Sequence, residues 1–305
     1  MVHAPRVAST LASSRESRDS KRDRRRNFGS ITASQNGVCE ARSPANPDHR
    51  YSFAMTEPLR ILHITDPHLH AHRDARMRGV NTDDTLTATL KHALANPCRP
   101  DLILATGDLV QDETRAGYER FSELTGSLGV PVYCLPGNHD APLVMRDVLS
   151  KAPFQFCGDA QHGNWSLVML NTYARNDDGG LLPPSELEFL ERTLAGNRSG
   201  HCLVALHHQP VPMGSRWLDS VALRNAAEFL AVCDRHAQVR GIVWGHVHQA
   251  SDRERRGVRL MSTPSTCSQF KPASDSFAID SRPPGYRWID LQADGTIDTS
   301  VVWVE

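Results

Sequence analysis

From about residue 58 onward, short apolar runs recur along the chain, and most of them end on a polar turn. ILHIT (61–65), LILAT (102–106) and VPVYCL (130–135) come first. WSLVMLNT (165–172), CLVALHH (202–208) and GIVWGH (241–246) repeat the theme. Apolar runs of this length without strict alternation fit strands buried on both faces. Helical spacing lies between them. NTDDTLTATLKHALAN (81–96) places apolar residues on one face behind polar N-cap candidates, and residues 115–128 read as a second helix. Further helices are expected to start near Pro184 and Ser220. GVRLMST (257–263), GYRWIDL (285–291) and TSVVWVE (299–305) read as later, hairpin-like strands. Strands alternating with helices predict an α/β layered fold. No internal repeat or linker interrupts residues 58–305, so 56–305 reads as one domain. The Pro- and Ser-rich stretch 264–284 is expected to be a structured surface loop, of a length often tied to function.

The first 55 residues differ in kind. They gather Arg15, Arg18, Lys21, Arg22, Arg24, Arg25 and Arg26 among serines, with little to bury. They read as a disordered basic extension, or as the product of an upstream start with Met55 as the working initiator. Glu16, Asp19 and Asp23 argue against a transit peptide, and no apolar stretch marks a secretory signal or a membrane span. The formal net charge is −1, which argues against binding a nucleic-acid backbone. Seven scattered cysteines form no CxxC pair, so neither a disulfide framework nor a thiolate zinc site is expected, and a reducing, cytoplasmic compartment is.

The chemistry sits where the apolar runs stop. ILHIT leads into Asp66 and His68, and LILAT into Gly107-Asp108. VPVYCL leads into Gly137-Asn138-His139-Asp140, CLVAL into His207-His208, and GIVW into Gly245-His246-Val247-His248. In an open α/β sheet, sites form beyond the carboxyl ends of the strands. A lone Asp after a strand is ordinarily a cap or turn residue, and a lone His in a loop is ordinarily solvent-exposed. Capping does not explain five such ends together, because caps need no histidine. Oxygen and imidazole donors without thiolate suit Mn, Fe or Zn. Asp66 and His68 are two apart, as are His246 and His248, so each pair would share one side of an extended segment. Asp108 is placed to bridge two ions about 3.5–4 Å apart, the clamp used for displacement at phosphorus.

The ordered set DxH (66–68), GDxxxD (107–112), GNHD (137–140), HHxP (207–210) and GHxH (245–248) resembles the calcineurin-like binuclear metallophosphoesterases over roughly residues 58–305. GVNTDDTL (79–86), SRWLDSVALRNAAEF (215–229) and TPSTCSQFKP (263–272) narrow the resemblance to the bacterial class III 3′,5′-cyclic AMP phosphodiesterases. STCSQFKP has no metal-binding logic of its own.

The resemblance implies a four-layer αββα sandwich and two divalent ions, Fe2+ and/or Mn2+. One ion would be held by Asp66, His68, Asp108 and His248, the other by Asp108, Asn138, His207 and His246. His68, Asp108, Asn138, His139 and His248 would contact substrate. A hydroxide activated by the two metals would open the cyclic phosphate to 5′-AMP. His139 would stabilise charge and serve as general acid, directly or through water. Asp140 would orient His139 or cap the next helix. Asp112 would support a ligand or cap a helix. His208 would support its neighbour, while His70 and His72 are expected to be exposed. Trp217, Gln269 and Phe270 are candidates for the base pocket. The expected partner is a small cyclic nucleotide, bound by a monomer or homodimer. Other phosphoesters, including 2′,3′-cyclic nucleotides, are the alternative.

Overall fold

Residues 57–197 and 200–305 are described by the computed structural model; the extension expected over 1–55 lies outside them. The first half runs β1 (Leu59–Ile64), β2 (Arg76–Met77), β3 (Val80–Asn81), α1 (Thr82–Leu94), β4 (Leu102–Ala105), α2 (Arg115–Gly126), β5 (Val132–Cys134), α3 (Pro142–Val148) and β6 (Phe154–Phe156). Next come β7 (Gly158–His162), β8 (Trp165–Met169), α4 (Pro184–Gly196), β9 (His201–Leu206), α5 (Arg216–Asp219), α6 (Ala226–Cys233), β10 (Val239–Trp244), β11 (Ser251–Arg255) and β12 (Val258–Ser262). β13 (Gln269–Phe270), β14 (Ile279–Asp280), β15 (Gly285–Leu291) and β16 (Ile297–Trp303) complete the chain.

The strands form two six-stranded sheets, ordered β16-β15-β1-β4-β5-β6 and β11-β12-β10-β9-β8-β7. β1, β4, β5 and β6 are parallel in the first, and β8, β9, β10 and β12 in the second. Alternate side chains of each central strand enter different layers. Ile61, Leu102 and Leu104 pack between the sheets with Leu203, Val243 and Ile289. Leu62, Ile64 and Ile103 face the other way, onto Leu86, Leu90, Tyr118, Phe121 and Met145 of α1 to α3. Val204, Leu206 and Ile242 do the same against Leu190 and Leu194 of α4 and Phe229 of α6. The architecture is therefore αββα, and strands buried on both faces explain why their sequences lack strict alternation.

The helix expected near Ser220 starts later. Ser220 caps the end of the short α5, and α6 begins at Ala226. The intervening segment is held by backbone pairing instead: Gly180 N–H donates to Ala222 O, Leu223 N–H to Gln209 O and Arg224 N–H to Gly180 O. β7 (GDAQH) and β11 (SDRER) have no counterpart in the sequence reading. Both are edge strands rich in polar residues, and edges are commonly charged to block further pairing. Cys134, Cys157, Cys202, Cys233 and Cys267 are free thiols. Cys98 is disulfide-bonded, one bond and not a framework. Among the described residues no helix is long and apolar enough to cross a membrane.

Candidate metal centre

The carboxyl ends of β1, β4 and β5 in one sheet meet those of β9 and β10 in the other. Their polar residues form overlapping clusters with metal-ligand spacing: Asp66-His68-His248, Asp66-Asp108-His207, His68-Asp108-His139 and His207-His208-His246. His248 Nε2 lies 3.3 Å from Asp66 Oδ1 and 3.1 Å from His68 Nε2. Asp108 faces both halves, with Oδ2 3.7 Å from His68 Nε2 and Oδ1 3.4 Å from His207 Nε2. Asn138 Oδ1 is 3.2 Å from that same His207 nitrogen.

The pairs Asp66/His68 and His246/His248 are not on extended segments, as their spacing suggested. Asp66, His68, Asp108, His246 and His248 all have positive φ, between 46° and 64°. Left-handed backbone at a non-glycine residue costs roughly 1–3 kcal/mol, and it persists where the surroundings over-determine it. Here the surroundings are hydrogen bonds between turns. Asp66 N–H donates to Gly107 O and His68 N–H to Asp108 O, at 3.1 and 3.0 Å. His246 N–H donates to both carboxylate oxygens of Asp66, at 3.2 and 3.0 Å.

Two glycines permit this closeness. A Cβ on Gly137 would stand 2.2 Å from Asp108 Oδ1, and one on Gly245 would stand 2.0 Å from Thr65 Oγ1 and 2.7 Å from Asp66 Oδ2. Gly245→Ala is expected to displace Asp66, lower metal content and cost about 1–3 kcal/mol of stability. Metal analysis and urea unfolding check this.

Two of the imidazoles, His68 and His246, are held neutral, the state a cation requires, whereas the Asp108 carboxylate, against burial, raises His207 to about 9. His207 Nδ1 gives its hydrogen to Thr106 O at 2.7 Å, and His248 Nδ1 to Ser268 O at 2.6 Å, which frees each Nε2. Burial pushes His68 and His246 down to about 3. Burial opposes the Asp108 carboxylate, but the His207 and His139 rings hold it well below the usual range. His246 Nε2 is buried without any hydrogen-bond partner. A divalent cation would satisfy that atom, so the residues present fit one.

STCSQF, which has no ligand of its own, scaffolds this cluster. Ser268 O accepts from His248, and Ser265 Oγ donates to Asp66 O at 2.7 Å. Gln269 is turned away from the cavity, bonded to Ser265 and Pro283, which removes it as a base-pocket candidate.

Other expectations need correction. Asp140 neither touches His139 nor caps α3, whose N-cap is Ala141. It is fully buried and accepts from the N–H groups of Leu109, Val110 and Gly137 and from the Tyr118 hydroxyl. It thus clamps the Asp108 turn to the Asn138 turn. The partner of His139 is Gln111, whose amide nitrogen lies 3.1 Å from Nδ1. His208 does not bond His207. Its nitrogens bond Thr172 Oγ1 and Asp178 O, at 2.8 and 3.2 Å, and so anchor the 172–178 loop. Asp112 accepts from Ala71 N–H and from Thr114, the N-cap of α2. His72 is exposed and His70 half-buried, both outside the clusters.

A two-sheet α/β sandwich with this donor set at its strand ends defines a metal-dependent hydrolase. Residues 59–250 match the family model of the calcineurin-like phosphoesterases, and the chain belongs to that family. It is 40% identical over 248 residues to the 3′,5′-cyclic adenosine monophosphate phosphodiesterase CpdA of Escherichia coli K12, covering 80% of this chain and 89% of that relative. It is 37% identical over 244 residues to a 3′,5′-cyclic-nucleotide phosphodiesterase of Nostoc sp., covering 80% and 92%. A dimetal phosphatase from Danio rerio shares the fold with a TM-score of 0.56 at 13% identity, covering 82% of this chain and 100% of that one.

Proposed function

We propose that the protein hydrolyses 3′,5′-cyclic AMP to 5′-AMP. Asp66, His68, Asp108 and His248 would hold one divalent cation, and Asp108, Asn138, His207 and His246 a second. The observation that carries this reading is Asp108, one buried carboxylate facing imidazoles of both halves. Relatives named as cyclic-nucleotide phosphodiesterases support the substrate. The thiolate-free donor set supports Fe2+ or Mn2+. The reading takes the protein as a cytoplasmic monomer or homodimer acting on the cellular cyclic AMP pool, with 56–305 as its catalytic domain.

Bound cations would supply Lewis-acid chemistry, bringing the pKa of water towards neutrality and offsetting phosphoryl charge. The chain's own residues do the rest. His68, Asp108, Asn138, His139 and His248 all line one cavity, where they would receive the cyclic phosphate. The His139 backbone N–H donates to Asp108 Oδ1 at 2.9 Å, which ties the Asn138–His139 turn to the proposed bridging carboxylate. With the Gln111 amide donating, His139 Nδ1 is an acceptor and the ring proton sits on Nε2. His139 would hand that proton to the departing 3′ oxygen as Nδ1 takes one from water, so that the ring ends the step neutral. Gln111→Leu is accordingly expected to leave metal content and KM near wild type while lowering kcat about 10-fold or more. Steady-state kinetics beside metal analysis tests that split.

The function itself is tested by offering metal-reconstituted protein 3′,5′-cyclic AMP, 2′,3′-cyclic AMP and a simple aryl phosphodiester. Turnover of the aryl ester with none of 3′,5′-cyclic AMP defeats the proposal.

A further inference from the structure

The cavity of about 250 Å³ beside the donor cluster has a second, aromatic wall. Phe270 lies flat on His248, with ring centroids 4.0 Å apart and 8° between planes. The apolar wall therefore begins on a proposed metal ligand. Trp217 and Phe277 meet Phe270 edge to face, at 5.2 and 5.4 Å, and each other at 5.2 Å. Phe277, between β13 and β14, is 42% exposed. Core packing does not account for a large ring left at the cavity mouth.

Arg78 stands over it. Its guanidinium is 4.2 Å from the Phe277 centroid and 5.9 Å from that of Phe270. Arg78 sits at the tip of the β2–β3 hairpin, where it and Gly79 have φ of 51° and 85°, the two positive values of a tight hairpin turn. Among the described residues Arg78 makes no ion pair with a carboxylate. The Trp217 indole N–H is buried without an acceptor.

We propose that Arg78, Trp217 and Phe277 form the subsite for the purine base, with the base against the two rings and the guanidinium over its outer face. This rests on the cyclic-nucleotide reading above. The phosphate-binding floor and the aromatic wall share one small cavity, so a mononucleotide spans both. A phosphoester without a ring would leave the wall wet. Every base offers a π face to an aromatic platform and to a planar guanidinium.

The test is calorimetric binding of 5′-AMP and of ribose 5-phosphate to the metal-loaded protein, with cyclic AMP hydrolysis measured in parallel. Wild type is expected to bind AMP about tenfold or more tightly than ribose 5-phosphate. Arg78→Ala and Phe277→Ala are each expected to reduce that ratio about threefold or more, and together to bring it near one. Both side chains reach the surface, so neither change should hinder folding. Equal affinity of wild type for the two ligands overturns the subsite, and so does a tenfold preference that survives both substitutions. Base-dependent binding that falls in the variants without any hydrolysis of cyclic AMP upholds the subsite and counts against the proposed function instead.

Discussion

Asp108→Asn is expected to reduce metal content below one ion per chain and lower kcat/KM by at least about 10³-fold. The substitution keeps the shape and removes the charge. Asp108 Oδ1 lies 3.4 Å from His207 Nε2 and accepts the His139 N–H, while Oδ2 reaches towards His68. An asparagine keeps one acceptor oxygen but turns an amide nitrogen towards the other half, where a cation would have to sit. In the ion-free protein burial opposes this carboxylate, but the His207 and His139 rings hold it ionised, well below the usual range. A carboxylate with a depressed folded-state pKa contributes stability at neutral pH, so stability in chelator is expected to fall in the variant, and the deficit to shrink as pH drops and the carboxylate protonates. Loss of metal and activity under conditions where the variant is still folded is the signature. An Asp108→Asn protein that retains two ions sinks the bridging role.

Much of this was legible in the sequence because the architecture writes itself plainly. Parallel strands buried on both faces read as uninterrupted apolar runs, so Asp66, Asp108, Asn138, His207 and His246 stand out as polar residues just past their ends. The runs alone gave a layered α/β fold; the four layers came with the family resemblance. The devices that hold the donors were not legible. Positive φ at a non-glycine residue leaves no mark in composition, and a DxH spacing looks the same whether extended or left-handed. Gln111, Thr106 and Ser268 act through one side-chain or carbonyl contact each, made to residues 28, 101 and 20 positions away. Asp140 was misread because its neighbour in sequence is not its neighbour in space. It spends its oxygens on the turn after β4, 30 residues back. STCSQF is bound to His248 through the Ser268 backbone oxygen, which any sequence possesses, and to Asp66 through one serine hydroxyl, Ser265, among several in the stretch.

The sharpest division of labour concerns adjacent residues, Asn138 and His139. His139→Ala is expected to keep both metals and lose about 10²–10⁴-fold in kcat, the usual worth of a general acid. Asn138→Ala is expected to lose one metal and most activity. The geometry makes this a real contest. His139 falls within ligand range of His68 and Asp108, its ring edge-on to His68 with centroids 5.2 Å apart. It could thus serve as a donor to the first ion instead of as an acid. Two features favour the acid. His68, Asp108 and Asp66 with His248 already supply that half with four donors. Gln111 bonds His139 Nδ1, which fixes the remaining ring hydrogen on Nε2, where a metal ligand would need a bare lone pair. Metal analysis of the two variants decides it. Equal metal loss in both would place His139 among the ligands, leave the leaving-group proton to water, and predict that Gln111→Leu raises metal affinity where the acid role predicts no change.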